Sequence, residues 1–338
     1  TVIVISASAP GKIVLMGEHA VVFGKPAIAL AVNLRLRCRI DHSSENLVNG
    51  QPLATAGNPY LSYIVNNLSK NTDIPSNQQL SFDVLSDIPA GSGLGSSAAL
   101  SVATIGALAA LENKPLNEEA ISKKAFEVEY DVQGRASPMD SSVSTHGGGI
   151  FLDSKKGPDF LWQSTRNDKT WYIHDLKVPQ MGMVIGYTGI RKPTGPMISR
   201  VASYCKRTKF ACEIIDEIGD ITLEGAEAIN HNDIEKLGRL MTKNHKLLAI
   251  LGVSSPELQN LVDAALPHSY GAKLTGGGGG GSSNRNGSSK IDHEKVARAM
   301  SIVRENGFAN TFNATTIQHA LEKLKVHGNA SRYDKDRE

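Results

Sequence analysis

The chain of 338 residues is 40% hydrophobic and 21% charged, a composition that indicates a globular protein with one large domain or two ordinary ones. Its net charge is only +2, from 36 basic and 34 acidic side chains, which argues against nucleic-acid binding and against a polybasic membrane anchor. Small molecules are therefore the expected partners.

The three cysteines, Cys38, Cys205 and Cys212, are too few and too scattered for a disulfide framework or a zinc site, so a reducing compartment is expected. Cys205 and Cys212 are predicted to share one face of a helix. The apolar start, TVIVISASAPGK, is too short for a signal sequence, has no basic residues before it, and no later apolar run reaches membrane-spanning length. These features predict a cytoplasmic location.

Alternating β-branched residues predict strands in the first part of the chain, at 2–5, 27–40 and 80–88. The interval between the second and third strands begins with a polar, turn-rich stretch, 41–57, which is followed by a predicted helix at 60–68. The third strand runs directly into a glycine-rich loop, so a strand, a tight loop and a helix follow one another at this point.

The loop from Gly91 to Ser97 contains three glycines and three serines, and an almost wholly apolar run follows it to Leu111. A helix that is apolar on every side is buried between other layers. The free N–H groups at its start can bind a phosphate, because glycines let the backbone approach the anion closely. The loop fits neither G-x-x-x-x-G-K-[ST] nor G-x-G-x-x-G, so a bound triphosphate needs its cation and metal ligands from elsewhere. An ordinary glycine turn before a helix is the alternative.

The pattern is predicted to be mainly helical beyond Pro179, and one further helix is predicted before that point. Asn117 is predicted to cap a helix that ends near Asp131, and the loop VQGRASPMD and the segment STHGGGIFL follow it. A domain boundary near residue 180 gives domains 1–180 and 181–338. Further predicted elements are a strand at 181–189 and helices at 197–218, 234–251 after Asp233, from Ser255 and Pro256 onward, and 292–307. Composition alone makes 271–290, GAKLTGGGGGGSSNRNGSSK, a flexible linker.

Four stretches, SAPGKIVLMGEHAVVFGKPA at 8–27, DIPAGSGLGSSAALSVA at 87–103, VQGRASPMDSSVSTHGGG at 132–149 and GAKLTGGGGGG at 271–281, resemble the ordered motifs of the GHMP small-molecule kinases. The branch they resemble phosphorylates mevalonate, and VQGRASPMD and the compact length are similar to its archaeal members. The resemblance covers most of the chain. It implies an α+β fold of two domains, the N-terminal one ribosomal-protein-S5-domain-2-like and the C-terminal one ferredoxin-like.

The resemblance also implies the chemistry: ATP as co-substrate, Mg²⁺, and transfer of a phosphoryl group to the primary hydroxyl of mevalonate. It implies neither a nucleic acid nor a membrane as partner, and it is compatible with a homodimer. The residues it implies for ATP are Lys12, Ser86, Gly91, Ser92, Gly93, Leu94, Gly95, Ser96, Ser97, Gly276 and Gly278; for the metal, Ser97 and Glu129; for catalysis, Asp140 as base and Lys12; and for the substrate, Glu18, His19, Ser144, Thr145 and Thr188.

Several of these residues have ordinary structural alternatives. The alternative for Glu129 is a solvated charge on a helix surface, and the alternative for His19 is a histidine that only packs in the interior. Asp140 is predicted to lie in a loop between a proline turn and a serine-rich strand entry, and its structural alternative is to cap that turn. In the kinase role it either deprotonates the alcohol or only orients it. Arg191, Lys192 and helix N-termini are the candidates for binding the substrate carboxylate.

The glycine run departs from the family pattern. Gly277 stands where relatives usually have alanine, and the polar SSNRNGSSK follows where they have an apolar strand, which argues against the usual strand there. Two alternative functions stay open. Another GHMP kinase, such as one acting on phosphomevalonate, would need additional Lys or Arg around a substrate phosphate. A catalytically silent sensor is disfavoured because Lys12, Ser97, Glu129 and Asp140 are all present.

Overall fold

The computed structural model describes residues 3–67, 74–75, 77–134, 136–179, 182–188, 190, 194–276, 282–286, 310–315 and 322–327. The helix expected at 292–307 lies outside these ranges, as do Arg191, Lys192 and Gly278. Within the described ranges, every helix is too short or too polar to cross a bilayer.

Two antiparallel-rich sheets organise the chain. The strands are β1 (Ile3–Met16), β2 (Ala27–Ser43), β3 (Leu47–Val48), β4 (Gln51–Pro52), β5 (Gln79–Ser86), β6 (Gly149–Asp153), β7 (Phe160–Arg166), β8 (Lys169–Leu176), β9 (Gly182–Tyr187), β10 (Gly271–Thr275), β11 (Ser282–Asn286), β12 (Asn310–Thr315) and β13 (Glu322–His327). The first sheet contains β1 to β8 together with β13, and the second has the order β10-β11-β9-β12. The predicted domain boundary near residue 180 falls between β8 and β9.

The long first strand differs from its sequence-based prediction. β1 was expected only at 2–5, but it continues to Met16 and pairs antiparallel with β2. The pairing shifts register between Pro10 and Lys12, where a proline and a glycine interrupt the alternation. The interval 41–57, expected to be turns, holds the end of β2, the short strands β3 and β4 and a one-turn helix.

The helices are α1 (Leu53–Ala56), α2 (Pro59–Asn66), α3 (Ser96–Leu111), α4 (Glu118–Gln133), α5 (Met139–His146), α6 (Thr194–Arg207), α7 (Lys209–Asn230), α8 (Ile234–Ile250) and α9 (Pro256–Ala265). Short 3₁₀ turns lie at Ala20–Phe23 and Leu266–His268. Asn117, Asp233 and Ser255 cap α4, α8 and α9 through their side-chain oxygens, as predicted.

Helix α3 is the buried central element that the apolar run predicts. Its side chains are enclosed along most of its length, because it packs against β1 and β2 on one side and against α4 and α5 on the other. Ser101 donates a hydrogen bond to the carbonyl of Ser97, and Thr104 donates one to the sulfur of Cys38, so buried hydroxyls on this helix have acceptors. The start of α3 is therefore held rigidly under the glycine loop.

The prediction that Asp140 lies in a loop before a strand is wrong, because Met139–His146 forms helix α5. Pro138 stands at its N-cap position with φ −73°, and Met139 and Val143 supply buried apolar side chains four residues apart. The carboxylate of Asp140 lies in the first turn, where the helix dipole stabilises negative charge.

The single helix predicted at 197–218 is also wrong, because the chain forms two helices that meet at Thr208. Thr208 has extended backbone angles and its hydroxyl accepts a hydrogen bond from the amide of Ala211, which starts α7. Cys205 and Cys212 consequently lie on different helices, with the thiol of Cys212 donating to the carbonyl of Cys205 at 3.2 Å. Both are free thiols.

The flexible-linker interpretation of 271–290 is wrong where the structure describes this segment. β10 and β11 form an antiparallel pair across the glycine run, and β11 also pairs with β9. The expectation that polar SSNRN lacks the usual strand is therefore corrected as well. Backbone pairing on both sides of β11 supplies the hydrogen bonds that its side-chain composition does not suggest.

His146 joins the end of α5 to its neighbours and gives the fold a pH dependence. Its ring nitrogens lie 2.8 Å from a carboxylate oxygen of Glu118 and 3.2 Å from one of Asp175. The Glu118 hydrogen bond, opposed by burial and aided by Asp175, raises the pKa of His146 above 6.5. A raised folded-state pKa gives stability that is complete below the unfolded-state pKa and is lost as the pH rises through the folded-state pKa.

We therefore expect His146→Gln to lower the melting temperature at pH 5.5 and to change it little at pH 9. Thermal unfolding at the two pH values measures this difference. His231→Gln is the control, because His231 is exposed and its Nδ1 lies 2.8 Å from the backbone carbonyl of Glu227; it should have the same small effect at both pH values. An equal loss for His146→Gln at both pH values would contradict the linkage.

Candidate active site

The loop between β5 and α3 has the backbone geometry of an anion-binding turn. The backbone φ angles of Gly91, Gly93 and Gly95 are 71°, 81° and 74°, values that residues with a Cβ atom rarely adopt. Gly95 is the N-cap residue of α3, and because it has no side chain it cannot accept hydrogen bonds from the first amides of the helix. These amides can therefore donate to an external acceptor. Positive φ angles and a helix N-terminus are the backbone features that phosphate binding uses, and phosphate binding by this loop stays a prediction.

The loop is fixed against β1 at Gly11 and Lys12. The amide of Lys12 donates to the carbonyl of Leu94 at 2.9 Å. A Cβ on Gly95 would lie 2.8 Å from Cγ of Lys12, and one on Gly11 would lie 2.9 Å from the carbonyl oxygen of Leu94. The close approach places the Lys12 side chain beside the first turn of α3.

We expect Gly95→Ala to weaken ATP binding by about 10- to 100-fold, because the new methyl group displaces Lys12 and the loop together. Calorimetric titration with ATP measures the change. Gly57→Ala is the matched control: its φ is 67°, with no atom within 4 Å of the new Cβ among the described residues. It should have only the backbone cost of about 1–2 kcal/mol in stability. Equal ATP affinity in both variants would contradict a role for this contact.

Lys12 and Asp140 form the central ion pair of the site. Nζ of Lys12 lies 3.0 Å from Oδ2 of Asp140, with the lysine side chain 4% exposed and the aspartate side chain 28% exposed. The aspartate is therefore the member of the pair that solvent, or a ligand, can reach. The structure brings together the two residues for which the family resemblance implies a catalytic role.

Ser97 and Glu129 form a second polar pair at the same helix start. The hydroxyl of Ser97 donates to Oε1 of Glu129 at 2.9 Å, and Nε2 of Gln133 lies 3.4 Å from the same oxygen. Glu129 is buried, so the solvated-charge alternative for it is wrong. Burial first, and then the negative charge of Asp140, raise the pKa of Glu129 to about 8, against the opposing effects of Ser97, Lys12 and Gln133.

These two oxygen donors fit a magnesium ion. Mg²⁺ prefers hydroxyl and carboxylate oxygens and usually keeps water and phosphate oxygens as its remaining ligands. Burial and the nearby carboxylate of Asp140 disfavour the ionised form of Glu129, and a divalent cation bound beside it would favour that form. In the described part of the chain there is no cluster of three or more metal-ligating acidic, histidine or cysteine side chains.

The third glycine motif, which follows a strand of the second sheet, approaches the 91–97 loop closely. Gly276 has φ of 77°, and a Cβ on it would lie 3.1 Å from the carbonyl oxygen of Gly93. A Cβ on Gly93 would in turn lie 3.2 Å from the carbonyl oxygen of Thr275. Tyr187 in β9 places its hydroxyl 3.4 Å from the carbonyl of Ala90. Of the two glycines predicted here for ATP, Gly276 touches the loop and Gly278 lies outside the described residues.

The residues that the resemblance implies for the substrate differ in their hydrogen bonds and surroundings. Ser144 donates to the carbonyl of Pro10 at 2.9 Å and Thr145 to that of Ser141 at 2.7 Å, so both buried hydroxyls serve as internal donors. Thr188 follows β9, and its hydroxyl accepts from the amide of Ile190. His19 is buried with φ of 62°, at the start of a 3₁₀ turn.

Of the remaining ATP-loop hydroxyls, Ser86 forms a local turn with the backbone of Ile88, and Ser92 is buried and donates to the carbonyl of Pro89. Sequence reasoning missed Tyr60, whose hydroxyl lies 3.2 Å from Gln133, and it missed Gln133 itself. It also gave no role to Lys273 and Asn244, which hold Glu18. A lysine inside the apolar run GAKLT was the one signal available for this pair.

Comparison with known proteins identifies the family of the chain. The GHMP kinase N-terminal domain model matches residues 59–148, and the GHMP kinase C-terminal model matches 226–307. The chain is 36% identical to the mevalonate kinase of Archaeoglobus fulgidus over 80% of this chain and 88% of that protein. It is 37% identical to the mevalonate kinase of Methanothermobacter thermautotrophicus, over 80% and 86%.

Its structure also resembles that of Methanococcus jannaschii mevalonate kinase, with 28% sequence identity and a TM-score of 0.73 over 92% of this chain and 98% of that one. The α+β class and the two-domain kinase fold predicted from the sequence are thereby confirmed. The chain therefore belongs to the GHMP kinase family, in which its relatives at 36% and 37% identity are mevalonate kinases.

Proposed function

We propose that the protein phosphorylates (R)-mevalonate with ATP, giving 5-phosphomevalonate and ADP, as a step of the isoprenoid-forming mevalonate pathway. The observation that carries the proposal is the ion pair of Lys12 with the partly exposed Asp140, which lies beside the amide-rich start of α3. A phosphoryl donor and an alcohol acceptor need this combination of anion site, cation and proton acceptor in one place. The names of the relatives supply the identity of the alcohol.

In the proposed reaction, the amides of the 91–97 loop bind the phosphates of ATP and Lys12 compensates charge between the γ-phosphate and the substrate oxygen. The primary hydroxyl oxygen attacks the γ-phosphorus, and the bond from that phosphorus to the bridging oxygen breaks as ADP leaves. The hydroxyl proton passes to the carboxylate of Asp140. Because phosphoryl transfer has a loose transition state, orienting the hydroxyl is as large a part of this role as removing its proton.

Ser97 and Glu129 would hold Mg²⁺, which neutralises charge on the β- and γ-phosphates when it is bound. Gly276 would close the loop from the opposite side through its contact with Gly93. We also propose a cytoplasmic location, and a homodimer is compatible with the family; sedimentation of the purified protein measures the second.

A panel of acceptors tests the proposal against its alternatives. ADP release is measured with mevalonate, phosphomevalonate, homoserine and galactose side by side, at fixed ATP and Mg²⁺. Mevalonate should give the highest kcat/KM by a wide margin. A higher kcat/KM for phosphomevalonate or another acceptor assigns the chain to a different GHMP kinase, while ATP binding without turnover on any acceptor supports the silent sensor.

A further inference from the structure

A buried lysine that is not part of the Lys12–Asp140 ion pair links the two sheets. Lys273 lies in the middle of β10 and its side chain is completely buried. Its ammonium contacts Oε1 of Glu18 and donates to the carbonyls of Leu274 at 2.6 Å and Val14 at 3.3 Å. Glu18 follows β1 of the first sheet, so one side chain of the second sheet bonds to both the backbone of β1 and the carboxylate that follows it.

Glu18 has its other oxygen occupied as well. Nδ2 of Asn244, from α8, donates to Oε2 of Glu18 at 3.0 Å, and both residues are buried. The neighbouring His245 accepts from the amide of Leu274 through Nδ1 at 3.2 Å, which ties α8 to β10. Both carboxylate oxygens of Glu18 therefore accept from protein donors, whereas the family resemblance assigns this residue to the substrate.

The same strand continues directly into the third glycine motif. The hydroxyl of Thr275 accepts from the amide of Val14 at 2.8 Å and lies 3.2 Å from the carbonyl of Val14. The next residue, Gly276, makes the close approach to Gly93 of the phosphate loop. Only two residues separate Lys273 from Gly276 along the chain. The position of Gly276 therefore depends on the position of β10.

The electrostatics require the pair to act as a unit. Burial lowers the pKa of Lys273, as does Lys12 more weakly, whereas Glu18 acts in the opposite direction. Removing the cation from a buried ion pair strongly destabilises the folded protein, because it leaves an unpaired buried carboxylate. Removing both charges together often leaves the stability nearly unchanged. Loss of Lys273 alone should therefore displace Glu18 and β10, and loss of both charges should leave them in place.

We propose that Lys273 is a positioning residue for phosphoryl transfer: by pairing with Glu18 it holds β10 on β1 and so sets Gly276 against Gly93 at the ATP phosphates. The inference rests on the proposed kinase function. It assigns Glu18 to the same anchor and makes ATP, rather than the acceptor alcohol, the ligand whose binding depends on the pair.

Four variants test this role: Lys273→Met, Glu18→Gln, the double variant Glu18→Gln/Lys273→Met, and Thr275→Val. The ATP dissociation constant is measured by calorimetry without acceptor, the KM of ATP and of mevalonate by ADP release, and the melting temperature for each protein. We expect Lys273→Met to weaken ATP binding about tenfold or more, and the double variant to return it to within about threefold of wild type. The KM of mevalonate should change less than that of ATP.

Thr275→Val keeps the branched shape of the side chain and removes only its hydrogen bonds to Val14, so it tests the same docking if Lys273→Met does not fold. It should raise the ATP dissociation constant while leaving mevalonate KM close to wild type. Lys243→Met/Glu217→Gln removes an ion pair between α7 and α8 whose side chains are about half exposed, and as a control it should leave ATP affinity unchanged.

The inference is overturned if the double variant binds ATP no better than Lys273→Met, or if Glu18→Gln raises the KM of mevalonate alone and additively, as a direct substrate contact would. It is also overturned if Thr275→Val binds ATP as the wild type does. These outcomes are separate from failure of the proposed function, which wild-type turnover on the acceptor panel decides. The calorimetric comparison needs ATP only and holds for any acceptor.

Discussion

Asp140→Asn is expected to lower kcat by about 10²- to 10⁴-fold while ATP binds with nearly its original affinity. The asparagine keeps the size of the side chain but carries no charge to pair with Lys12, which lies 3.0 Å away, and no basic oxygen to take the hydroxyl proton. The phosphate loop is held by other contacts, among them the Lys12 amide to Leu94, so nucleotide binding should persist. A coupled ADP assay measures turnover and calorimetry measures ATP affinity.

Asp216→Asn is the control for this change, because Asp216 pairs with Lys25 at 2.6 Å on the surface and both side chains are substantially exposed. It should keep wild-type turnover. Near-wild-type turnover in Asp140→Asn would refute the role of Asp140 as the base, because asparagine can still orient the hydroxyl through its side-chain oxygen but cannot take its proton.

Glu129→Gln is expected to act in opposite directions on activity and on stability. Turnover should fall by about 100-fold at fixed Mg²⁺, because the neutral amide is a poor ligand for a hard divalent cation. The stability of the protein without nucleotide should rise, because the buried carboxylate is costly when ionised and glutamine resembles its protonated form.

The pH dependence gives the sign of the stability effect. The folded-state pKa of Glu129, about 8, lies above the ordinary 4.5, so the folded state binds the extra proton between these values. Its contribution to stability therefore decreases as the pH rises from about 4.5 through about 8 and stays at its lowest above that. The melting temperature of Glu129→Gln should exceed that of wild type at pH 9 and approach it at pH 5.

Glu127→Gln on the exposed side of the same helix is the matched control, and it should shift neither turnover nor the pH dependence of melting. A Glu129→Gln protein less stable than wild type at pH 9 would show that the carboxylate is compensated in the folded state. Unchanged Mg²⁺ dependence of turnover would remove Glu129 from the metal site.

Much of the site was accessible from the sequence because its parts are local. The start of α3 at Ser96, its burial and the caps at Asn117, Asp233 and Ser255 follow from short-range patterns of apolar residues and side-chain acceptors. The placement of Lys12 and Asp140 in one site was predicted only through the family resemblance, and their ion pair was not predicted at all, since 128 positions separate them and no periodicity connects a strand to a distant helix turn.

The errors have physical causes that a local pattern does not contain. Asp140 was placed in a loop because a proline turn precedes it and a serine-rich segment follows it, whereas burial of Met139 and Val143 stabilises a short helix. Thr208 interrupts an otherwise continuous helical pattern by capping α7 with its hydroxyl. The Lys273, Glu18 and Asn244 contacts join a strand, the turn after another strand and a helix, so they become visible only when the chain is folded.

The pairing of β1 with β13 has a consequence for biosynthesis. Ile3 lies opposite His327 and Ser8 opposite Glu322, so one edge of the strand that carries Lys12 is completed by residues made very late. Contacts between such distant positions form slowly, and until they form the strand presents unpaired backbone groups to other chains. A nascent or truncated polypeptide lacking 322–327 should therefore aggregate through this edge before it acquires activity.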